Sequence, residues 1–324
     1  MLDFQKLHEI IQTHRSFLLI SHIYTDGDAL GSILALHRYL SKAGKQVEAV
    51  VPGDIPEQYG FLNPEKAINR LNERQTLDFI RQAQVAIILD ISALERMDRW
   101  YKPVMESQAL KVCIDHHPKG CSGVDFQIVN VKRIATAEII FEFFKTNDIA
   151  IDKETALFLY TGVLSDSGSF RFEGTSSFTL QMAAELTALG LDPAWIYRQV
   201  FEHSNKRQLR FWGHVLTHLQ SEGPVDWAVV PKETLRRFGV RVEDMNGLVD
   251  IIRRDATARV FVMFVENFDA EIMVGLRSKD GFDVGEIARR FGGGGHFHAA
   301  GFSSKKAMDT VVRETLQAIR EKTE

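Results

Sequence analysis

Four short apolar runs recur at intervals in the first third of the chain: FLLIS at 17–21, VEAVV at 47–51, VAIILDI at 85–91 and LKVCI at 110–114. Strands with one face in water alternate apolar and polar residues, whereas these runs are close to continuously apolar. Between them lie helical periods such as ILALHRYLSKAG, with Ile33, Leu36 and Leu40 along one face and Gly44 as a stop signal. Apolar strands separated by helices predict a parallel sheet covered on both sides. An amphipathic helix precedes them (Leu2, Leu7, Ile10, Ile11), and from about 135 to 191 the pattern is mainly helical. A stretch of mixed helical signals over 193–222 ends in Ser221-Glu222-Gly223-Pro224. A second α/β pattern then follows, with strands expected at 225–230, 259–265 and 271–277 and helices near 232–238, 284–291 and 305–321. The expected fold class is α/β, with a domain over 1–192, a helical connector over 193–222 and a smaller domain over 223–324.

Ligands of open α/β sheets bind beyond the carboxyl ends of the strands, and that is where the acidic and imidazole groups fall. The first strand runs into Ser21-His22-Ile23-Tyr24-Thr25-Asp26-Gly27-Asp28 just before a helix. The third ends at Asp90 and the fourth at Asp115-His116-His117, while Asp166 lies in the segment GVLSDSGSF. An aspartate after a strand is often only a helix cap, and histidine pairs are common in cores and on surfaces. Convergence weighs against that reading, because carboxylates and imidazoles gathered at one edge repel unless cations neutralise them. A pair of divalent ions is the simplest supply. Mixed oxygen and nitrogen donors without thiolate lean toward Mn²⁺, with Mg²⁺ as the alternative. Gly31-Ser32, near a helix start, is expected to offer backbone N–H groups to a phosphate.

Near the other end, Gly292–Gly295 lies between helix-like DVGEIARRF and apolar FHAAGF, which is not the place of an interdomain linker. Glycines admit close approach of backbone to an anion. Gly293, Gly294, Gly295 and His296, with Arg277 at the end of a strand, are the expected clamp for a second phosphate or a nucleotide end.

Charge and cysteine usage narrow the class. Net charge is -4, and from Ser221 onward 16 Lys+Arg face 17 Asp+Glu, leaving 23 against 26 before it. Neither half carries the basic excess of a long-duplex binder, so a nucleic-acid substrate is expected to be short or gripped locally. Cys113 and Cys121 are too few for a four-thiolate zinc site and nothing demands a disulfide; Cys113 reads as a small core residue. The first residues hold no apolar block of signal-peptide length, and no run approaches the ~18 residues of a membrane span. A cytoplasmic protein is expected. Oligomeric state stays open, and a homodimer would be unsurprising.

The segments HIYTDGDALGS, ILDIS, DHH and SDSGSF resemble the four motifs of the DHH phosphoesterases, and GGGGHFHAAG resembles the signature of their C-terminal DHHA1 domain. Five motifs in order span residues 21 to 301. Thr25 stands where such loops often have proline. The resemblance implies that His22, Asp26 and Asp90 hold one metal, and that Asp28, Asp90, His116 and Asp166 hold the other. It implies further that Asp115 supports the site by orienting a histidine and that His117 faces the scissile phosphate. The compact length is most similar to the stand-alone branch that cuts 2–5-nucleotide RNAs to mononucleotides and dephosphorylates 3′-phosphoadenosine 5′-phosphate (pAp). A cyclic di-AMP or pApA phosphodiesterase, and a nucleotide-binding regulator without catalysis, are the alternatives.

Overall fold

The computed structural model describes residues 2–323 apart from Ser92, 118–120, Ser122, Asn246, Asp280 and His296. It divides into two compact units, Met1–His203 and Ser204–Glu324.

Unit 1 holds five parallel strands, β1 (Ser16–Ile20), β2 (Gln46–Val50), β3 (Val85–Leu89), β4 (Leu110–Asp115) and β5 (Phe126–Val129), in the order β2-β1-β3-β4-β5. Its helices are α1 (Phe4–Thr13), α2 (Gly27–Lys42), α3 (Glu73–Gln82), α4 (Tyr101–Glu106), α5 (Thr136–Thr146), α6 (Lys153–Asp166), α7 (Ser177–Ala188) and α8 (Pro193–Phe201). Alternate strand residues serve two different cores. Phe17, Leu19, Ile87 and Val112 join the core that includes residues of α1, α2, α5 and α6, whereas Leu18, Ile20, Ile88 and Cys113 join that of α3 and α4. Both faces are dry, which is why these strands carry no polar alternation.

The strand order places a switch point between β1 and β3. Chain leaving β1 goes to one side of the sheet and chain leaving β3 to the other, so their carboxyl ends border a crevice. β5 was not foreseen from the sequence. Its four residues include an exposed Gln127, and an edge strand that short carries no legible period.

A close crossing of α2 and α6 shapes that crevice. A Cβ on Gly31 would lie 2.3 Å from the Phe158 carbonyl oxygen, and one on Gly162 would lie 2.9 Å from Asp28 Oδ1. Gly31 and Ser32 are therefore buried inside α2 against α6 rather than open to a phosphate, which corrects the anion-binding role expected for them. A glycine before a serine near a helix start reads alike in both roles, and only the neighbouring helix decides.

Unit 2 comprises α9 (Lys206–Thr217), β6 (Gln220–Glu222), β7 (Val225–Val230), α10 (Lys232–Phe238), α11 (Leu248–Ile252), β8 (Val260–Glu266), β9 (Ile272–Ser278), α12 (Val284–Arg290), β10 (Gly294–Gly295), β11 (Ala299–Ser304) and α13 (Met308–Thr323). Its mixed sheet has the order β10-β11-β9-β8-β7-β6, with only β7 and β8 parallel. The stretch 193–222 contributes α8 to unit 1 and α9 and β6 to unit 2.

Cys113 is fully buried, and its sulfur is joined to that of Cys121, with the Cα atoms 6.2 Å apart across eight positions. The sequence contains nothing that requires this link, since two buried cysteines serve equally well as small apolar residues.

Candidate active site

Asp90 is the centre of the site. It follows β3 with a left-handed backbone (φ 53°), and its N–H donates to the Ile114 carbonyl at 3.1 Å. That turn presents a carboxylate only 2% exposed, with Oδ1 3.4 Å from His116 Nε2 and Oδ2 3.7 Å from His22 Nε2. Around it lie three groupings whose donor atoms fall within 4.8 Å of one another: His22, Asp26 and Asp90; Asp28, His116 and Asp166; and Asp90, His116 and His117. The structure thus brings together all six expected metal-ligand positions.

Each side chain is delivered by a local device. Asp26 caps α2, accepting from the Asp28 and Ala29 N–H groups at 3.1 and 3.0 Å. Thr25 closes the preceding loop, its hydroxyl donating to the His22 carbonyl at 3.1 Å. Asp28 sits in the first turn of α2 and reaches the start of α5, accepting from Thr136 N at 2.6 Å and Ala137 N at 2.9 Å. Asp166 ends α6, and the chain then turns through three successive left-handed residues, Gly168, Ser169 and Phe170. The glycine and serines of that motif serve this turn.

The two histidines after β4 are oriented differently. His116 Nδ1 lies 3.3 Å from the Arg133 carbonyl, an acceptor only, so Nδ1 carries a proton, and Nε2 faces Asp90 and Asp166. His117 Nδ1 lies 2.7 Å from Oδ1 of Asp115, which is fully buried at the end of β4. The Asp115 carboxylate fixes this ring just as carboxylates fix ligating or catalytic histidines elsewhere.

Crowding perturbs the ionisation of the cluster. Burial, followed by the Asp90 charge, pushes the Asp28 carboxyl well above its usual range; burial and the charges of Asp28 and Asp26 do the same to Asp166. Burial would raise Asp90 too, but the adjacent His116 and His22 imidazoles outweigh it and hold Asp90 well below the usual range. Burial alone would lower His116, yet the Asp90 carboxylate, with Asp166 and Asp28, raises it well above an ordinary imidazole. Opposed shifts of this kind are what buried carboxylates crowded around shared imidazoles produce. Hard oxygen donors with imidazole nitrogens, buried and mutually repelling, fit divalent cations.

Two residues in contact with the cluster escaped the sequence reading. Thr136 donates its hydroxyl to Asp90 Oδ1 at 3.2 Å while its N–H holds Asp28, so one buried residue braces two acidic groups. Its only sequence signal is Ala-Thr-Ala before an apolar helix, which is common. Arg96, in the helical turn 94–100, brings its guanidinium to 3.4 Å from His22 Nδ1.

In unit 2, Arg277 lies on β9 opposite Ala299 of β11, and the hairpin strand β10 pairs Gly294 with Gly301 and Gly295 with Ala300. Arg277 and the glycine run therefore share one end of the sheet. A Cβ on Gly293 would lie 2.2 Å from the Gly301 carbonyl, and one on Gly295 would lie 2.5 Å from that of Ala299. These two glycines are already required by the hairpin, whereas Gly294 is exposed with no atom near its missing Cβ. His296 lies outside the described residues.

Comparison with known proteins now decides the relationship. Residues 16–163 match the model of the DHH family, N-terminal domain, and residues 228–324 match that of the DHHA1 domain. The chain belongs to the DHH family. It is a phosphoester hydrolase of that family, with an α/β fold. It is 27% identical over 314 residues to a Mycoplasma genitalium protein named bifunctional oligoribonuclease and PAP phosphatase NrnA, covering 95% of each chain. The protein of the same name from Thermus thermophilus is 28% identical over 310 residues, covering 94% of this chain and 89% of that one. Among solved structures, an exopolyphosphatase-related protein from Bacteroides fragilis superposes with a TM-score of 0.92 at 26% identity, covering 98% of this DHH-family chain and 95% of that one. No described helix is long and apolar enough to cross a membrane.

Proposed function

We propose that this DHH-family protein hydrolyses short oligoribonucleotides of two to five nucleotides to mononucleotides and removes phosphate from pAp, using two divalent ions with Mn²⁺ preferred. The observation that carries the reading is Asp90, whose two carboxylate oxygens face different imidazoles, His116 and His22. Asp90 with His22 and Asp26 would hold one ion, and Asp90 with Asp28, His116 and Asp166 would hold another. When bound, such a pair supplies a nucleophilic oxygen at neutral pH and neutralises charge gathering on the phosphoryl group.

The rest of the chemistry belongs to the chain's own residues. Thr136 and the start of α5 hold Asp90 and Asp28 before substrate arrives, so little reorganisation is needed during reaction. Asp115 accepts the Nδ1 proton of His117, leaving Nε2 to meet a phosphoryl or leaving-group oxygen. In the other unit, Arg277 and the Gly293–Gly295 hairpin, with His296, are the residues we assign to a second phosphate or nucleotide end. The nearly balanced charge of both halves and the names of the Mycoplasma and Thermus relatives support a short substrate.

The test is a product analysis with purified protein and Mn²⁺, offering pApA, a five-nucleotide RNA, pAp, cyclic di-AMP and a long DNA single strand. Fast turnover of the short linear substrates and pAp is expected, vanishing in Asp90→Asn. Preference for cyclic di-AMP or the long strand would replace the substrate assignment. No turnover on any substrate, with Mn²⁺ bound, would indicate a nucleotide-binding regulator instead.

A further inference from the structure

One peptide group separates His116 from a buried carboxyl that the mechanism leaves unused. His116 Nδ1 lies 3.3 Å from the Arg133 carbonyl oxygen, and the N–H of that same peptide, on Ile134, donates to Glu138 Oε2 at 3.1 Å. The peptide is trans, so its C=O and N–H point in opposite directions. Glu138, fully buried in the first turn of α5, therefore grips the nitrogen side while the imidazole meets the oxygen side. The same helix holds Arg133 a second time. Glu142, one turn further on, accepts from Arg133 Nε and Nη2 at 3.2 and 2.7 Å, and the guanidinium lies 3.4 Å from the centre of the Phe178 ring of α7. Residues 133 and 134 are thus fastened to α5 at two points, with the carbonyl between them aimed at His116.

We propose that Glu138 is a positioning residue for His116, acting through the Arg133–Ile134 peptide to keep Nε2 turned toward Asp90 and Asp166. The inference rests on the phosphoester-hydrolase reading of the same site and adds a support lying beyond the ligands themselves. The plainer reading is a helix cap, since a glutamate in a first turn suits the macrodipole and often returns to the N-cap N–H. Three observations weigh against it. The N–H groups of Thr136 and Ala137, the first two of α5, already donate to Asp28. Glu138 reaches past the N-cap residue Ala135 to the N–H before it, whereas Gln75 in α3 and Thr179 in α7 return to their own N-caps. Gln75 does so from an exposed position, and withdrawing a carboxyl wholly from water costs more than a cap contributes. Burial raises the Glu138 carboxyl above its usual range, but Oε2 can accept from Ile134 N–H in either ionisation state. Hydrogen bonds in a chain polarise one another, so an acceptor on Ile134 N–H makes the Arg133 oxygen a better partner for the imidazole. Ligating histidines are oriented by the partner of their other ring nitrogen; here that partner is itself held in place.

The experiment uses the full chain and two readouts that do not depend on turnover. Mn²⁺ is titrated calorimetrically without nucleotide, and the His116 Nδ1–H is followed by NMR of metal-free protein labelled at histidine, its signal identified by loss in His116→Gln. Glu138→Ala and Glu138→Leu both remove the acceptor, the leucine without opening a cavity. Each is expected to weaken Mn²⁺ roughly ten-fold and to release the Nδ1–H to rapid exchange with solvent. Glu138→Gln keeps an oxygen for Ile134 N–H, and is expected to retain the Nδ1–H signal and to bind Mn²⁺ within about three-fold of the wild type. Unchanged Mn²⁺ affinity or an unchanged Nδ1–H signal in the alanine and leucine variants would overturn the assignment, as would glutamine behaving no better than leucine. Loss in Glu138→Ala but not in Glu138→Leu would reduce Glu138 to a space-filling residue and overturn it equally. Those results, in a wild type that binds Mn²⁺ and turns over phosphoesters, would strike this inference alone. A wild type that does neither would overturn the parent reading and this one with it.

Discussion

Gly31→Ala tests whether the α2–α6 crossing, rather than any loop, sets the distance between Asp28 and Asp166. The new Cβ would begin 2.3 Å from the Phe158 carbonyl oxygen and 3.2 Å from Gly162 N, both backbone atoms that cannot turn aside. Ordinary contact begins near 3.4 Å, so α6 must retreat by about 1 Å. Overpacking of this kind costs ~1–3 kcal/mol. The better helix propensity of alanine returns ~1 kcal/mol, leaving a net loss of up to ~2 kcal/mol. In a unit of 203 residues that lowers the melting temperature by up to roughly 8 °C. The larger effect falls on chemistry, because Asp28 rides on α2 and Asp166 on α6. A misplacement near 1 Å costs on the order of 10²-fold in rate. Calorimetric melting, Mn²⁺ titration and pApA turnover on the same preparation would show all three effects. Gly213→Ala is the control: Gly213 is exposed within α9, no atom lies near its missing Cβ, and the change should stabilise by up to ~1 kcal/mol. Unchanged Mn²⁺ affinity and turnover in Gly31→Ala would refute the claim that this crossing spaces the ligands.

Thr136→Val removes one hydroxyl at nearly constant shape and should weaken Mn²⁺ binding ~10–100-fold in a calorimetric titration, while thermal stability without metal changes little. Hydrogen bonds from Arg38, with help from Lys42, hold the Asp152 carboxyl below its usual range despite partial burial. A depressed carboxyl stabilises above its unfolded value, near ~3.9, and that contribution is lost as pH falls toward the folded one. Arg38→Ala should accordingly flatten the acid limb of a melting-temperature profile below pH ~4 and lower the neutral plateau, whereas an unchanged profile would discount the pair. Denatured protein should release no titratable thiol until reduced and two afterwards, and reduction should cost roughly 2.5 kcal/mol by loop entropy if the reduced chain keeps its fold.

What could be read beforehand depended on how far apart along the chain the cause lay. Strands β1, β3 and β4 announced themselves because each is dry on both faces, and the ligands at their ends follow from the strands. Asp115 and His117 are two residues apart, so their hydrogen bond was within reach of local reasoning. Thr136 braces Asp28 across 108 positions and Asp90 across 46, and no local pattern encodes such a meeting. The glycines were ambiguous for a different reason. Missing side chains look the same whether the space is taken by a ligand, as expected for Gly31, or by a neighbouring backbone, as found there and at Gly293.

The left-handed turn at Asp90 also limits what this position can become. Glycine, asparagine and aspartate accept that conformation at the least cost. Asparagine would preserve the turn without the charge and glycine without any ligand, while every other residue would add backbone strain at a buried site. If Asp90 carries the activity as proposed, decay of function in a chain of this fold has two easy exits at this point, each expected to leave a folded, silent protein. The residue type at position 90 would then separate working copies from relics.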